Sequence, residues 1–278
     1  MNTPETPPPK PDDGRSNALI GLASGRSHGR ENEQVFRELM GIHERECNDL
    51  YQFGSLIAAN QYRRLYRLAN EYAAPGMKVL DWGCGNGHFS YALSRFGYEI
   101  FGFSFDDFCL RKYLDETYEF IQGNAGSPSA LPYPDGFFDA VFSVGVLEHV
   151  RETGGNEVAS LREIFRILRP SGHFVCYHFP NRYTLVEAMA AYFPEKHLHR
   201  YRYTQRSIIE LCRQAGLDLL RVQRYGFLPR NEWNRLPWTI RNSRLVAGAW
   251  NLLDNLLSYP FSILCQNYLF VAKKPPEG

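Results

Sequence analysis

The run Val79-Leu80-Asp81-Trp82-Gly83-Cys84-Gly85-Asn86-Gly87-His88-Phe89 constrains this chain more than any other stretch. An apolar segment with the character of a buried strand leads directly into three glycines at alternate positions, and a helical pattern follows. Glycine adopts positive φ at little cost and lets backbone N–H groups approach a ligand with no Cβ in the way. Such a loop sits at the carboxyl end of a strand, where the ligand crevice of an open α/β sheet lies. The spacing is GxGxG, not the GxGxxG that cradles a dinucleotide pyrophosphate. A ligand without a pyrophosphate is therefore favoured, and a nicotinamide oxidoreductase is not. The alternative is a tight β–α turn with no ligand, which has little need of three alternating glycines behind Asp81.

The pattern around this loop alternates. Strands are expected at Met77–Trp82, Glu99–Ser104, Tyr118–Gln122, Phe138–Val144 and His173–Phe179. Helices are expected at His88–Phe96, Asp106–Leu114 and Asn156–Leu168. Strands separated by helices imply right-handed crossovers and a mostly parallel, doubly wound α/β sheet. Ahead of it, Glu33–Tyr51 and Ser55–Tyr72 carry apolar residues at helical spacing. Beyond Pro180 the expectation is an inserted helix at Arg182–Phe193, a Thr204-capped helix to Ala215, and strands at Leu217–Tyr225 and Tyr268–Lys273. A Trp-rich excursion, Gly226–Gln266, separates those strands. The chain thus divides into a flexible tail (1–30), N-terminal helices (31–74), a ligand-binding core (75–180) and a covering C-terminal part with the remaining strands (181–278).

Composition narrows the class. The 278 residues carry 31 Lys+Arg against 30 Asp+Glu, a net charge of +1 that argues against an indiscriminate nucleic-acid coat. Cysteines at 47, 84, 109, 176, 212 and 265 form no CxxC pair, so reduced thiols in a cytoplasmic protein are expected. No apolar run reaches the length of a membrane span; the nearest, Asn255–Ala272, is broken by Ser258, Pro260, Ser262, Gln266 and Asn267.

Several further motifs follow the glycine loop in order: Gly123-Asn124-Ala125, Leu131-Pro132-Tyr133-Pro134-Asp135, Phe138-Asp139-Ala140-Val141, Val146-Leu147-Glu148-His149-Val150 and Arg162–Gly172. Together, over roughly Pro75 to Gly226, the chain resembles the class I S-adenosylmethionine-dependent methyltransferases of the small-molecule type. The resemblance implies a seven-stranded Rossmann-like sheet and S-adenosyl-L-methionine as cofactor. It implies that Gly83, Gly85 and Gly87 shape the loop under the methionine part of the cofactor, with Cys84 as a wall residue. Asp81 would orient its ammonium group. Asn124 and the backbone of Ala125 would meet the adenine, and Ser143-Val144 the amine. Where the family's second strand ends in a ribose-binding acid, this chain has Ser104. Asp106, two residues on, either substitutes for it or caps the next helix.

Methyl transfer needs orientation, a dry site and, for an acidic acceptor proton, a base. His149, just after the fourth strand, and His178, at the end of the strand His173–Phe179, are the candidate bases; gating is the alternative for His149 and a packed core histidine for His178. His197 and His199 could ligate a metal, but no carboxylate or cysteine nearby completes a site, so none is expected. From Glu195 to Arg244 eleven Lys/Arg face four acids, beside Trp233, Trp238, Leu252, Leu253, Leu256, Leu257 and Phe261. That segment suits a peripheral membrane contact across 196–261, a phosphate-bearing acceptor or merely a solvated face. The resulting expectation is methylation, at oxygen, of a small or lipid-linked acceptor such as a quinone precursor or a cell-surface glycan intermediate. A non-catalytic scaffold of the same fold is the competing reading.

Overall fold

A computed structural model of the chain describes residues 32–124, 126–192 and 198–277. The expected flexible tail, Ala125, Lys196 and His197 lie outside the described residues. Seven strands are present: β1 (Lys78–Trp82), β2 (Glu99–Ser104), β3 (Glu119–Gln122), β4 (Phe138–Val144), β5 (Leu168–Pro180), β6 (Asp218–Tyr225) and β7 (Asn267–Lys273). They form one sheet in the order β3-β2-β1-β4-β5-β7-β6. The first five are parallel, and β7 runs antiparallel between β5 and β6. This is the doubly wound, Rossmann-like sheet expected from the sequence.

Alternation along each strand sorts the apolar residues onto two faces. Val79, Phe142 and Val175 face one cluster with Phe36, Leu65 and Phe89; Leu80, Val141 and Phe174 face the other with Phe101, Ile164 and Ile208. Both faces are covered, so β1 is buried on each side, as a central parallel strand requires.

The principal helices are α1 (32–45), α2 (Arg63–Tyr72), α3 (His88–Arg95), α4 (Glu157–Ile167), α5 (Gln205–Ala215) and α6 (Arg244–Ser258). Their ends follow local chemistry. Asn156 Oδ1 accepts the Ala159 N–H at 2.8 Å to start α4. Thr204 and Ser207 form a reciprocal capping box for α5, and Gly216 ends it at φ 80°.

Five expectations are corrected. The helix forecast for Asp106–Leu114 is only a 3-10 turn, Cys109–Tyr113. Its backbone is tied by a Cys47–Cys109 disulfide across a Cα–Cα distance of 6.2 Å, so the six thiols are not all free; the other four are buried and reduced. The first helix ends at 45 rather than 51, and the inserted helix shrinks to Leu185–Ala190. β5 begins five residues early, because Leu168 pairs with Phe138 before a register shift at Ala140.

Candidate functional site

The three glycines of the loop have positive φ, 74° at Gly83, 53° at Gly85 and 82° at Gly87. They are not equivalent. A Cβ on Gly83 would come within 2.4 Å of Val146, and one on Gly87 within 2.3 Å of Phe108, so the protein's own packing demands those two. At Gly85 the nearest atom would be 3.8 Å away, and the space above it is open. Both Gly83 and Cys84 donate their N–H groups to the Phe103 carbonyl, at 2.7 and 3.0 Å, fastening the loop to the end of β2. Burial pushes the Cys84 thiol well above its ordinary range, which leaves it an inert wall group.

Asp81, at the fourth position of β1, is 1% exposed. It accepts a 2.7 Å hydrogen bond from Ser90 Oγ, and among the described residues no cationic side chain pairs with it. Burial pushes its carboxyl up to about 7 against the opposing pull of Ser90. An unpaired, desolvated carboxylate beside an open glycine loop suits the ammonium of an amino-acid ligand, so these residues fit the methionine end of S-adenosylmethionine.

The other expected cofactor residues scatter around this core. Ser104 is half-buried at the end of β2, where its carbonyl accepts the Gly123 N–H at 2.8 Å. Asp106 is exposed and caps no helix; Asp107, its neighbour, turns the chain by accepting the Phe108 N–H at 2.9 Å. The Asn124 side chain accepts the Gly126 N–H at 2.8 Å and closes its own turn instead of standing free. Val144, half-buried, ends β4 just before Gly145 turns at φ 70°.

The two candidate bases fall in separate clusters. His149 Nδ1 lies 2.9 Å from Glu152, and its ring centroid is 5.9 Å from that of His199. Contrary to the sequence expectation, carboxylates do surround His199. It contacts Glu187, and ligand atoms of Glu148, His149 and His199 all lie within 4.8 Å of one another. Burial pushes Glu148 up to about 8, so it is a neutral acid at neutral pH.

His178 sits where β5 bulges between Cys176 and Phe179, at φ 65°, a left-handed conformation rare for a side-chain-bearing residue. Its N–H donates to the Tyr225 oxygen at 2.9 Å, and its Nδ1 is 3.0 Å from the same oxygen. Nε2 is buried with no hydrogen-bond partner among the described residues. Burial lowers its pKa to about 3, so the ring is neutral. Its ring lies 5.2 Å from Tyr62, which in turn lies 4.3 Å from His88, the residue after Gly87. His178 also lines a cavity of about 760 Å³ at the carboxyl ends of β5 and β6, roofed by α2 and α6.

Sequence reasoning passed over Tyr62, His88 and Tyr225. The only available signal was the adjacency of His88 to Gly87, since the other two belong to elements remote from the loop in sequence.

The comparisons with known proteins agree with this geometry. A family model described as a methyltransferase domain matches residues 56–222. The demethylmenaquinone methyltransferase of Lactococcus lactis is 29% identical over 182 residues, 54% of this chain and 69% of that protein. The ubiquinone biosynthesis O-methyltransferase of Ruegeria pomeroyi is 26% identical over 219 residues, 75% of this chain and 77% of that protein. A crystal structure of a SAM-dependent methyltransferase from Archaeoglobus fulgidus shares the fold, with a TM-score of 0.51 at 21% identity, covering 76% of this chain and 92% of that one.

Proposed function

The chain belongs to the methyltransferase domain family and is an S-adenosylmethionine-dependent methyltransferase; from that premise we propose that it methylates an oxygen of a small or lipid-linked acceptor, such as a quinone precursor or a cell-surface glycan intermediate. The observation that carries this reading is His178: neutral, with an unpartnered Nε2, and lining a cavity beside the exposed apolar face of α6.

The cofactor supplies a methyl group already activated on a sulfonium, so the chain has to orient, exclude water and handle one proton. Asp81 holds the ammonium, and the open space over Gly85 admits the methionine backbone. Gly83, Cys84 and Gly87 wall the loop, Ser104 or Asp106 and Asn124 bound the adenosine side, and Val144 meets the amine. His178, whose Nδ1 pairs with the Tyr225 oxygen, takes the acceptor hydroxyl's proton at Nε2 as general base. His149 gates the acceptor side. Residues 75–180 bind the cofactor, and 181–278 cover the acceptor.

Leu252 and Leu256 on α6 and Tyr259 after it are 61%, 62% and 90% exposed. Among the described residues no helix is long and apolar enough to cross a membrane. A peripheral contact of 196–261 with the inner face of a membrane therefore completes the reading.

The test is methyl transfer from labelled cofactor to prenylated catechols and to lipid-linked glycan extracts in detergent micelles. The expected product is a methyl ether, formed about 10²-fold or more slowly by His178→Ala at unchanged cofactor affinity. Label on carbon, or an unimpaired His178→Ala variant, would overturn it.

A further inference from the structure

Among the described residues, the cavity that His178 lines carries five arginines and a single carboxylate. Arg63, Arg64 and Arg67 come from α2, Arg224 from the end of β6, and Arg230 from the loop beyond it. The one acid, Asp254 of α6, is fully engaged. Arg230 donates to it at 2.7 Å, and the N–H groups of Phe227 and Leu228 donate to its other oxygen at 2.8 Å each.

No carboxylate forms an ion pair with the remaining four among the described residues. Arg63 reaches only the Asn60 side-chain oxygen, at 2.9 Å, and Arg224 only the Tyr268 hydroxyl, at 2.9 Å. Arg64 lies 5.6 Å over the Tyr225 ring, and its Nη1 is buried with no hydrogen-bond partner among the described residues. A surface that merely solvates charge spreads its guanidinium groups. Gathering them in a concavity concentrates positive potential, and a donor left buried without an acceptor is costly until an anion arrives. Guanidinium forks match the oxygens of phosphate.

From this geometry we propose that the cavity is a phosphate-recognition subsite for the methyl acceptor. It anchors a phosphate or pyrophosphate group among Arg63, Arg64, Arg67 and Arg224 while the acceptor's reacting end reaches His178. Tyr62 spans the interval, its ring 5.2 Å from His178 and 4.3 Å from His88 at the glycine loop. The proposal deepens the acceptor reading above and rests on it, favouring a phosphate-linked glycan intermediate over a quinone precursor. Tyr259, 90% exposed, stands at the cavity rim beside the apolar face of α6, which places the phosphate at the depth of a lipid headgroup.

Titration calorimetry of the full chain with inorganic pyrophosphate tests the subsite. The expected result is saturable binding that weakens about tenfold in both Arg64→Gln and the surface variant Arg67→Gln, with S-adenosylhomocysteine affinity unchanged. Phosphatidylcholine vesicles carrying a polyprenyl pyrophosphate, set against a soluble nucleoside-diphosphate hexose, identify the source. Binding of the first alone assigns the phosphate to a lipid and binding of the second alone to a soluble acceptor; either supports the subsite. If the wild type binds S-adenosylhomocysteine but not pyrophosphate, or if both variants bind pyrophosphate as well as the wild type, the subsite is wrong while the methyltransferase reading stands.

Discussion

Gly83, Gly85 and Gly87 look interchangeable in the sequence, yet each answers a different demand. Gly87 leaves room for Phe108, so Gly87→Ala places a Cβ 2.3 Å from that ring. The expected cost is about 1–3 kcal/mol of overpacking, read as a lower midpoint in urea. Asp81 makes a prediction of its own. Because burial raises its carboxyl to about 7, the free protein keeps it protonated in mild acid, and pairing with an ammonium must release that proton. S-adenosylhomocysteine affinity should therefore rise from pH 5.5 to 7, by at most about tenfold per unit, and level off above. Asp81→Asn should abolish the slope; a parallel slope in that variant would count against the pairing. The glycine loop and Asp81 were legible because strand, loop and helix are contiguous in the chain. His178 was found as a residue but not as a geometry, since a bulge at φ 65° depends on β7 and Tyr225, about 90 and 47 positions away.

At the level of elements, periodicity located nearly every strand and helix, and it failed where tertiary ties override propensity. The segment after Ser104 has helical spacing, but Phe108 fills the space left by Gly87 and Cys109 is tied to Cys47, so only a 3-10 turn forms. Cysteine spacing could not reveal that tie, because its two partners lie 62 residues apart and meet only once α1 docks on the sheet. In denaturant without reductant, four thiols should titrate and not six; six would show the tie to be absent in solution. The same element-scale logic applies to α6. Replacing Leu252 and Leu256 by Gln should reduce pelleting with anionic vesicles and leave the fold intact, because both side chains are exposed.

Over the whole molecule, the near-neutral total conceals how charge is arranged. Much of the basic excess of the C-terminal segment is met by acids from the N-terminal helices. Arg244 meets Glu33 at 2.6 Å, Arg241 meets Glu44 at 3.4 Å and Arg221 meets Glu71 at 3.5 Å. These are surface pairs and contribute little stability; inside the cavity, α2 sets three arginines beside Arg224, a grouping that no motif in the sequence announces. That cavity was illegible because its walls come from five distant stretches of chain. The proposed methionine end of the donor site, by contrast, falls within the contiguous residues 79–90. Titration calorimetry of S-adenosylhomocysteine against the wild type and Gly85→Arg therefore tests the central claim most directly. The expected result is one equivalent bound by the wild type and none by the variant, with circular dichroism used to check that the variant folds, since Gly85 sits at φ 53° and an arginine there is strained even though the space is open. Equal binding by a folded Gly85→Arg protein would contradict the placement of the methyl donor.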